Sequence, residues 1–226
     1  MDRSRVGIVI PALNEAATIG AVVEAARNLG IPIVVDDGSG DRTGAVAAAA
    51  GAAVVRHETN RGYDPALNSG FAEADRLGCE RVLTMDADGQ HDPAVAAAFL
   101  HALDEGADVV VGIRDRRQRI AEHLFAWVAR IKWGLRDPLC GMKAYRMDVY
   151  RSLGHFDSYN SIGTELALHA ARGGRRIVQI PVRTREREGT PRFGRRLAAN
   201  LKIWRALRRG LFSHGAERRA HSERKS

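Results

Sequence analysis

The sequence predicts an α/β fold: an open, mostly parallel sheet, Rossmann-like in its winding, with flanking helices and a further amphipathic helix near the C-terminal end. Three observations predict it. Short β-branched runs alternate with stretches of helical length and pattern through the first half of the chain. Dense clusters of Asp, Gly, Ser and Asn follow the apolar runs as turns. The alternation leaves a helix between successive strands, which is how parallel neighbours are joined.

The elements follow in order. Residues 6–10, Val-Gly-Ile-Val-Ile, form an apolar run ended by Pro11 and read as a buried strand. Asn14 can cap a helix that reaches Leu29. Residues 31–35 are a second β-branched run, followed by the turn signal Asp-Asp-Gly-Ser-Gly-Asp. Asp41 or Thr43 starts an Ala-rich helix ending at Gly51, and residues 53–56 form a third strand. A helix over about 65–77 precedes a strand at 81–85; residues 93–103 are helical and 108–112 are another strand.

The second half is less regular. Ile120, Leu124, Trp127, Val128, Ile131 and Leu135 form one helical stripe. Residues 164–172 read as a helix and 176–182 as a strand. Residues 195–212 form an amphipathic helix. Leu197, Leu201, Trp204, Leu207 and Leu211 share one face, and Arg195, Lys202, Arg205 and Arg209 the other. The last dozen residues read as disordered. The expected organisation is one catalytic-sized domain at 1–193, the basic helix at 194–213 and a tail at 214–226.

Composition fits this reading. The chain has 226 residues, 45% apolar and 27% charged, enough for a core and too apolar for a disordered chain. Cys79 and Cys140 follow no metal-ligand spacing and are too few for a disulfide framework, so a reducing, cytoplasmic compartment is expected. No run is long and apolar enough to span a bilayer. From residue 183 on there are 14 Lys and Arg against 4 Asp and Glu; residues 1–182 hold 21 against 23. The net charge of +8 therefore belongs to the C-terminal segment. Such a segment can meet an anionic surface, but no aromatic-studded basic sheet or recognition motif points to nucleic acid.

The chemistry concentrates at strand ends. Asp86-Ala87-Asp88-Gly89-Gln90 follows a strand directly, and carboxylates at i and i+2 on a tight turn can meet one hard cation. A cation there would neutralise a departing diphosphate. Taken alone, the pair could equally be a turn that caps the helix at Pro93. Asp36 and Asp37 also end a strand, as do Pro11 to Glu15, and ligands of open α/β sheets sit at the carboxyl ends of strands. Carboxylates brought so close need a cation or hydrogen-bond donors between them.

Three motifs carry a resemblance: Pro11-Ala-Leu-Asn14-Glu15; Val35-Asp36-Asp37-Gly38-Ser39-Gly40-Asp41-Arg42-Thr43; and Met85-Asp86-Ala-Asp88-Gly-Gln90-His91-Asp-Pro93. In that order they resemble glycosyltransferase family 2 of the GT-A fold, most of all its dolichol- and polyprenyl-phosphate sugar synthases, over about residues 5–193. The resemblance implies Pro11, Asn14 and Glu15 in the base and ribose pocket, and Asp37 with Asp36 on the nucleotide. It implies Asp86, Asp88 and Gln90 around Mg²⁺ or Mn²⁺, with Asp88 essential to catalysis, and Arg114 near the donor. Gly141 and Lys143 fall in an Asp-x-x-x-Gly-x-Arg/Lys loop that begins at Asp137. Glu165 matches a helix-borne acid at the acceptor side, and Arg187 an arginine that binds phosphate. The chain departs from the family at Arg187-Glu-Gly-Thr190-Pro-Arg192, one residue short, where Arg192 stands for a lysine. It departs again at Asn60-Arg61-Gly62-Tyr63-Asp64, which carries Tyr-Asp where small or basic residues are common.

On this resemblance the expected activity is an inverting, single-displacement transfer of a sugar from a UDP- or GDP-linked donor. The expected acceptor is a lipid phosphate bound by Lys143, Arg187 and Arg192, with a saccharide hydroxyl as the alternative. A sugar-nucleotide pyrophosphorylase would show a Gly-rich, Arg-bearing loop after the first strand, and here that loop is Pro-Ala-Leu-Asn-Glu. The Asp86/Asp88 pair argues against a non-catalytic binding subunit. The basic C-terminal helix and the 120–135 stripe are expected either to dock on an anionic membrane surface or to pack on the core.

Overall fold

A computed structural model describes residues 2–88, 93–115, 120–182, 203, 204 and 206–208. A short 3₁₀ turn leads into β1 (Val6–Ala12), followed by α1 (Ile19–Arg27), β2 (Ile31–Asp36), α2 (Thr43–Ala49), β3 (Ala53–Arg56), α3 (Tyr63–Arg76) and β4 (Arg81–Thr84). Then come α4 (Pro93–Asp104), β5 (Val109–Arg114), α5 (Ile120–Trp133), β6 (Lys143–Arg146), α6 (Met147–Leu153), α7 (Glu165–Arg172) and β7 (Ile177–Val182). The expected α/β architecture is present. The sheet runs β3-β2-β1-β4-β6-β5-β7, with every pairing parallel except those of β6, which is antiparallel to β4 and β5.

Helices cover both faces. Under α1, α2 and α4 lies one core cluster, with Ile8, Ile10, Val34, Leu83, Phe99 and Val110. Under α3, α5, α6 and α7 lies the other, built on Val9, Ile33, Phe71, Val111, Phe125 and Tyr145. Phe71 packs on Phe156 at 4.7 Å and edge-on to Tyr145 at 5.7 Å between ring centroids. α3 comes so close to the sheet that a Cβ on Gly70 would stand 2.3 Å from Val9 Cγ1, which only glycine avoids.

Several local expectations are corrected. Pro11 does not end β1; it pairs with Val35, and the strand runs on to Ala12. The Ala12 carbonyl faces β2, taking the Asp37 amide, while the Val9 carbonyl faces β4, taking the Met85 amide. By alternation the missing N–H of Pro11 points beyond the end of β4, where no ladder bond is lost. Asn14 does not cap α1, which begins at Ile19 after Thr18. Instead Asn14 adopts φ 52°, a left-handed conformation that Asn tolerates, and bonds to the loop after β2. The sequence pattern left β6 and α6 without an element, because Lys-Ala-Tyr-Arg is short and carries a charge into a central strand.

The α5 stripe is offset from expectation. Ala121, Glu122, Phe125, Ala126 and Ala129 face inward, while Trp127 and Ile131 are 62% and 66% exposed. Phe125 and three alanines thus take the buried face, and Trp127 and Ile131 the exposed one. Near the C-terminus, Ile203, Ala206 and Leu207 join the second core cluster and Trp204 is half exposed, so Trp204 does not share the fate of Leu207. The rest of the expected 195–212 helix and the tail lie outside the described residues.

Candidate functional site

The chain winds outward from β1 to β2 and β3, then returns to the other side of β1 at β4. At such a reversal the carboxyl ends of an open α/β sheet form a crevice. The loops after β1, β2 and β4 are laced together there. The Asn14 amide donates to Ser39 Oγ (2.9 Å), and the Gly40 amide donates to Asn14 Oδ1 (2.8 Å). The Glu15 amide donates to Thr43 Oγ1 at 2.8 Å. Thr18 Oγ1 donates to the carbonyl of Ala87 at 2.9 Å, binding the first loop to the turn between Asp86 and Asp88. The structure thus brings Pro11, Asn14, Glu15, Asp37, Asp86 and Asp88 to one edge of the sheet.

Asp36 and Asp37 part to opposite faces, as successive strand residues do. Asp36 is fully buried and accepts the Ser39 amide at 2.9 Å; its other oxygen lies so close to α2 that a Cβ on Gly44 would stand 2.6 Å away. Asp37 accepts the amides of Arg61 (2.9 Å) and Gly62 (2.8 Å), and His57 Nδ1 donates to it at 2.7 Å. His57 Nε2 lies 2.9 Å from Ser69 Oγ, so the ring is held at both nitrogens. Asp37 keeps lone-pair capacity for a further donor, since an ionised carboxylate accepts about four bonds.

Gly141 lets the chain pass close to Asp86. A Cβ on Gly141 would stand 3.1 and 3.2 Å from the Asp86 oxygens and 3.4 Å from the Tyr63 hydroxyl. Asp86 supplies hard oxygen donors there, and Asp88 follows two residues on in the same turn. This suits Mg²⁺ or Mn²⁺, which take one or two carboxylates and complete their shell with substrate phosphates. Among the described residues no group of three or more His, Cys, Asp or Glu could hold a metal alone. Gln90, expected as the third ligand, lies outside the described residues.

Two of the separate sequence signals prove to be one unit. Arg114 forks onto Asp137 with Nε and a terminal nitrogen both at 2.9 Å, its amide donates to the same carboxylate at 3.1 Å, and Glu122 lies 3.5 Å away. The two side chains are 20% and 2% exposed, so this is a buried, bidentate pair rather than a surface ion pair. Thr84 Oγ1 donates to the Gly141 carbonyl at 2.7 Å and receives the Lys143 amide at 3.0 Å, which fastens the Asp137–Lys143 loop to β4. Lys143 is buried, its Nζ donates to the Gly163 carbonyl at 2.9 Å, and burial pulls its ammonium down to about 8.

Glu165 opens α7. Its carboxylate accepts the Ser158 amide (2.6 Å) and hydroxyl (2.8 Å), and His155 Nε2 is 3.1 Å away. It is turned into its own loop. Arg187 and Arg192 lie outside the described residues. Sequence reasoning missed the roles of His57, Asp64 and Asp137 as holders of other groups. Asp137 stood in a quoted motif, and Asp64 sat in the segment that departs from the family. A lone His57 carried no signal.

The family model described as glycosyl transferase family 2 matches residues 7–154. An uncharacterized glycosyltransferase of Mycobacterium tuberculosis is 34% identical over 201 residues, spanning 84% of this chain and 89% of that protein. The polyprenol monophosphomannose synthase of Mycolicibacterium smegmatis is 30% identical over 207 residues, spanning 80% and 77% of the two chains. Among solved structures, the glucosyl-3-phosphoglycerate synthase of M. tuberculosis in complex with Mn²⁺ and UDP-glucose superposes with a TM-score of 0.68. It is 25% identical over 90% of this chain and 79% of that one.

Proposed function

The chain belongs to glycosyl transferase family 2, and on that premise we propose that it moves a sugar from a UDP- or GDP-linked donor to a polyprenyl phosphate, with inversion. Pro11, Asn14, Glu15 and Asp37 hold the nucleotide, Asp36 shaping the turn beneath it. Asp86, Asp88 and Gln90 hold Mg²⁺ or Mn²⁺, which when bound supplies positive charge opposite the leaving diphosphate. Arg114, locked on Asp137, faces the donor. Lys143, Arg187 and Arg192 hold the acceptor phosphate, whose oxygen attacks the anomeric carbon as the bond to the diphosphate breaks. The Mn²⁺ and UDP-glucose complex of the structural neighbour supports the metal and the donor class. The named activity of the mycolicibacterial relative supports the acceptor.

The observation that carries the choice of acceptor is the engagement of Glu165. A sugar hydroxyl needs a base, which contributes about 10²–10⁴-fold, and Glu165 is bound to Ser158 and His155 rather than poised as one. A phosphate monoester is largely dianionic at neutral pH and needs only cations to hold it. The deciding experiment incubates the protein with Mn²⁺, undecaprenyl phosphate and a panel of UDP- and GDP-sugars, and scores released UDP or GDP and sugar-linked lipid. Transfer to a free saccharide with none to the lipid phosphate would overturn the reading.

A membrane-facing role goes with a lipid acceptor. No helix among the described residues is long and apolar enough to cross a membrane. Trp127 and Ile131 nevertheless stand outward on α5, with half-buried Leu124, exposed Arg130 and exposed Lys132 on the same helix. An apolar stripe with flanking cations is the composition of a helix that lies in the bilayer interface.

A further inference from the structure

The Tyr63–Asp64 step, which departs from the family pattern, sits at the start of α3 between the two halves of the site. Asp64 is buried and points across the molecule. Its Oδ1 accepts the Gly163 amide at 2.6 Å and its Oδ2 the Ile162 amide at 3.1 Å, nearly a hundred residues away in sequence. Those residues need holding. Asn160, Ile162 and Gly163 have φ of 56°, 59° and 68°. A left-handed conformation is an outlier for a β-branched residue such as Ile162 and persists only where the surroundings over-determine it.

The same bend is held from within by Asp157, which accepts the Asn160 (2.6 Å) and Ser161 (2.7 Å) amides. Asn68, one turn further along α3, accepts the Phe156 and Asp157 amides at 2.9 and 3.1 Å and donates to the Asp157 carbonyl at 2.7 Å. The bend leads directly into Glu165 and touches the cation of the site: the Gly163 carbonyl takes the Lys143 ammonium at 2.9 Å. On its other side lies Tyr63. A Cβ on Gly163 would stand 3.5 Å from the Tyr63 ring, while the Tyr63 hydroxyl borders the Asp86 carboxylate across Gly141.

We propose that Asp64 is a positioning residue for acceptor capture: by taking the Ile162 and Gly163 amides it holds the strained 160–163 bend, which aims the Lys143 ammonium at the acceptor anion. Asp64 touches no reacting atom and works through Gly163 and Lys143. Tyr63, its chain neighbour, braces the opposite wall against the metal side, so α3 sets the separation of donor and acceptor from one turn of helix. The assignment of Lys143 to the acceptor rests on the function proposed above.

The test compares the full-length protein with Asp64→Ala and Asp64→Asn. Asn keeps one carbonyl acceptor and loses the second, so it should fall between the other two. Hydrogen exchange is read at residues 160–165, with Val9, Val34 and Phe71 as reporters of the intact core. Mn²⁺·UDP and Mn²⁺·GDP titrations read the donor side, and the KM for undecaprenyl phosphate reads the acceptor side. In Asp64→Ala the Ile162 and Gly163 amides should exchange at least about tenfold faster while the core reporters stay protected. The acceptor KM should rise about tenfold, with nucleotide Kd unchanged within about twofold. Unchanged loop protection would show that Asp64 does not hold the bend. A loosened loop with an unchanged acceptor KM would show that the bend is structural only, and either result overturns the proposal. If the wild-type protein glycosylates a saccharide and not the lipid phosphate, the function above falls instead, and the same KM comparison is made on that saccharide.

Discussion

Asp88, Lys143 and His57 each carry a sharp expectation. Asp88→Ala removes one of two carboxylates from the proposed metal site and should abolish turnover while leaving the fold, read by circular dichroism, unchanged; near-normal metal-dependent turnover would refute the assignment. Lys143 gives a pH dependence whose sign follows from its burial. Its folded-state pKa is depressed to about 8, below the 10.5 of a free lysine. Any stability it confers is therefore present above the unfolded value and is lost as pH falls through about 8, by up to about 3 kcal/mol. Lys143→Met should abolish this slope in denaturant unfolding between pH 8 and 10. On the proposed function the protonated form binds the acceptor anion, so kcat/KM for the acceptor should fall above about pH 8, and Lys143→Arg should keep it flat. His57→Ala frees Asp37 from one of its three bonds and should weaken UDP or GDP binding about tenfold, while leaving the acceptor KM unchanged.

α5 is where an element, not a residue, decides behaviour. The helix starts beside Arg114, since Glu122 lies 3.5 Å from it, and it turns Trp127 and Ile131 outward. A double Trp127→Ser, Ile131→Ser change removes exposed apolar area without disturbing Ala121, Phe125 or Ala129 beneath. Cosedimentation with vesicles of mixed neutral and anionic phospholipid should drop severalfold in the variant, with the thermal midpoint unchanged. Basic residues near an anionic surface contribute about 1 kcal/mol each, so wild-type binding should also weaken as salt rises. Binding that survives the double change would place the contact elsewhere in the chain.

At the scale of the molecule the sheet divides the labour. Its β1, β2 and β4 ends carry the groups proposed for the donor side, and β6 enters antiparallel between β4 and β5, with Lys143 opposite Thr84 and Gly141, just before the strand, against Asp86. The loops after β1, β2 and β4 bond to one another through Ser39, Thr43 and Thr18. Those of the other half bond through Asp64, Asp157 and Glu165. Donor and acceptor variants should therefore separate: Glu165→Gln should cost little in the chemical step, whereas Arg187→Ala should raise the acceptor KM strongly. The reverse pattern in steady-state kinetics would identify a hydroxyl acceptor and a base at Glu165.

The sequence by itself determined the fold class, the parallel strands of the first half and the acidic strand ends. All three depend on local chemistry: the period of apolar residues, the Gly- and Asp-rich turns, and the rule that ligands meet a sheet at its carboxyl edge. It also singled out the loop of Asp137 to Lys143 and the odd Tyr63-Asp64 step. Tertiary structure alone decided what these residues do to each other. That Arg114 belongs to Asp137, and that Asp64 reaches Ile162 and Gly163, are facts of long-range pairing, which no local pattern encodes. It also overrode a local signal where loop-to-loop hydrogen bonds outweighed it. Asn14 gave up a helix cap to join Ser39 and Gly40.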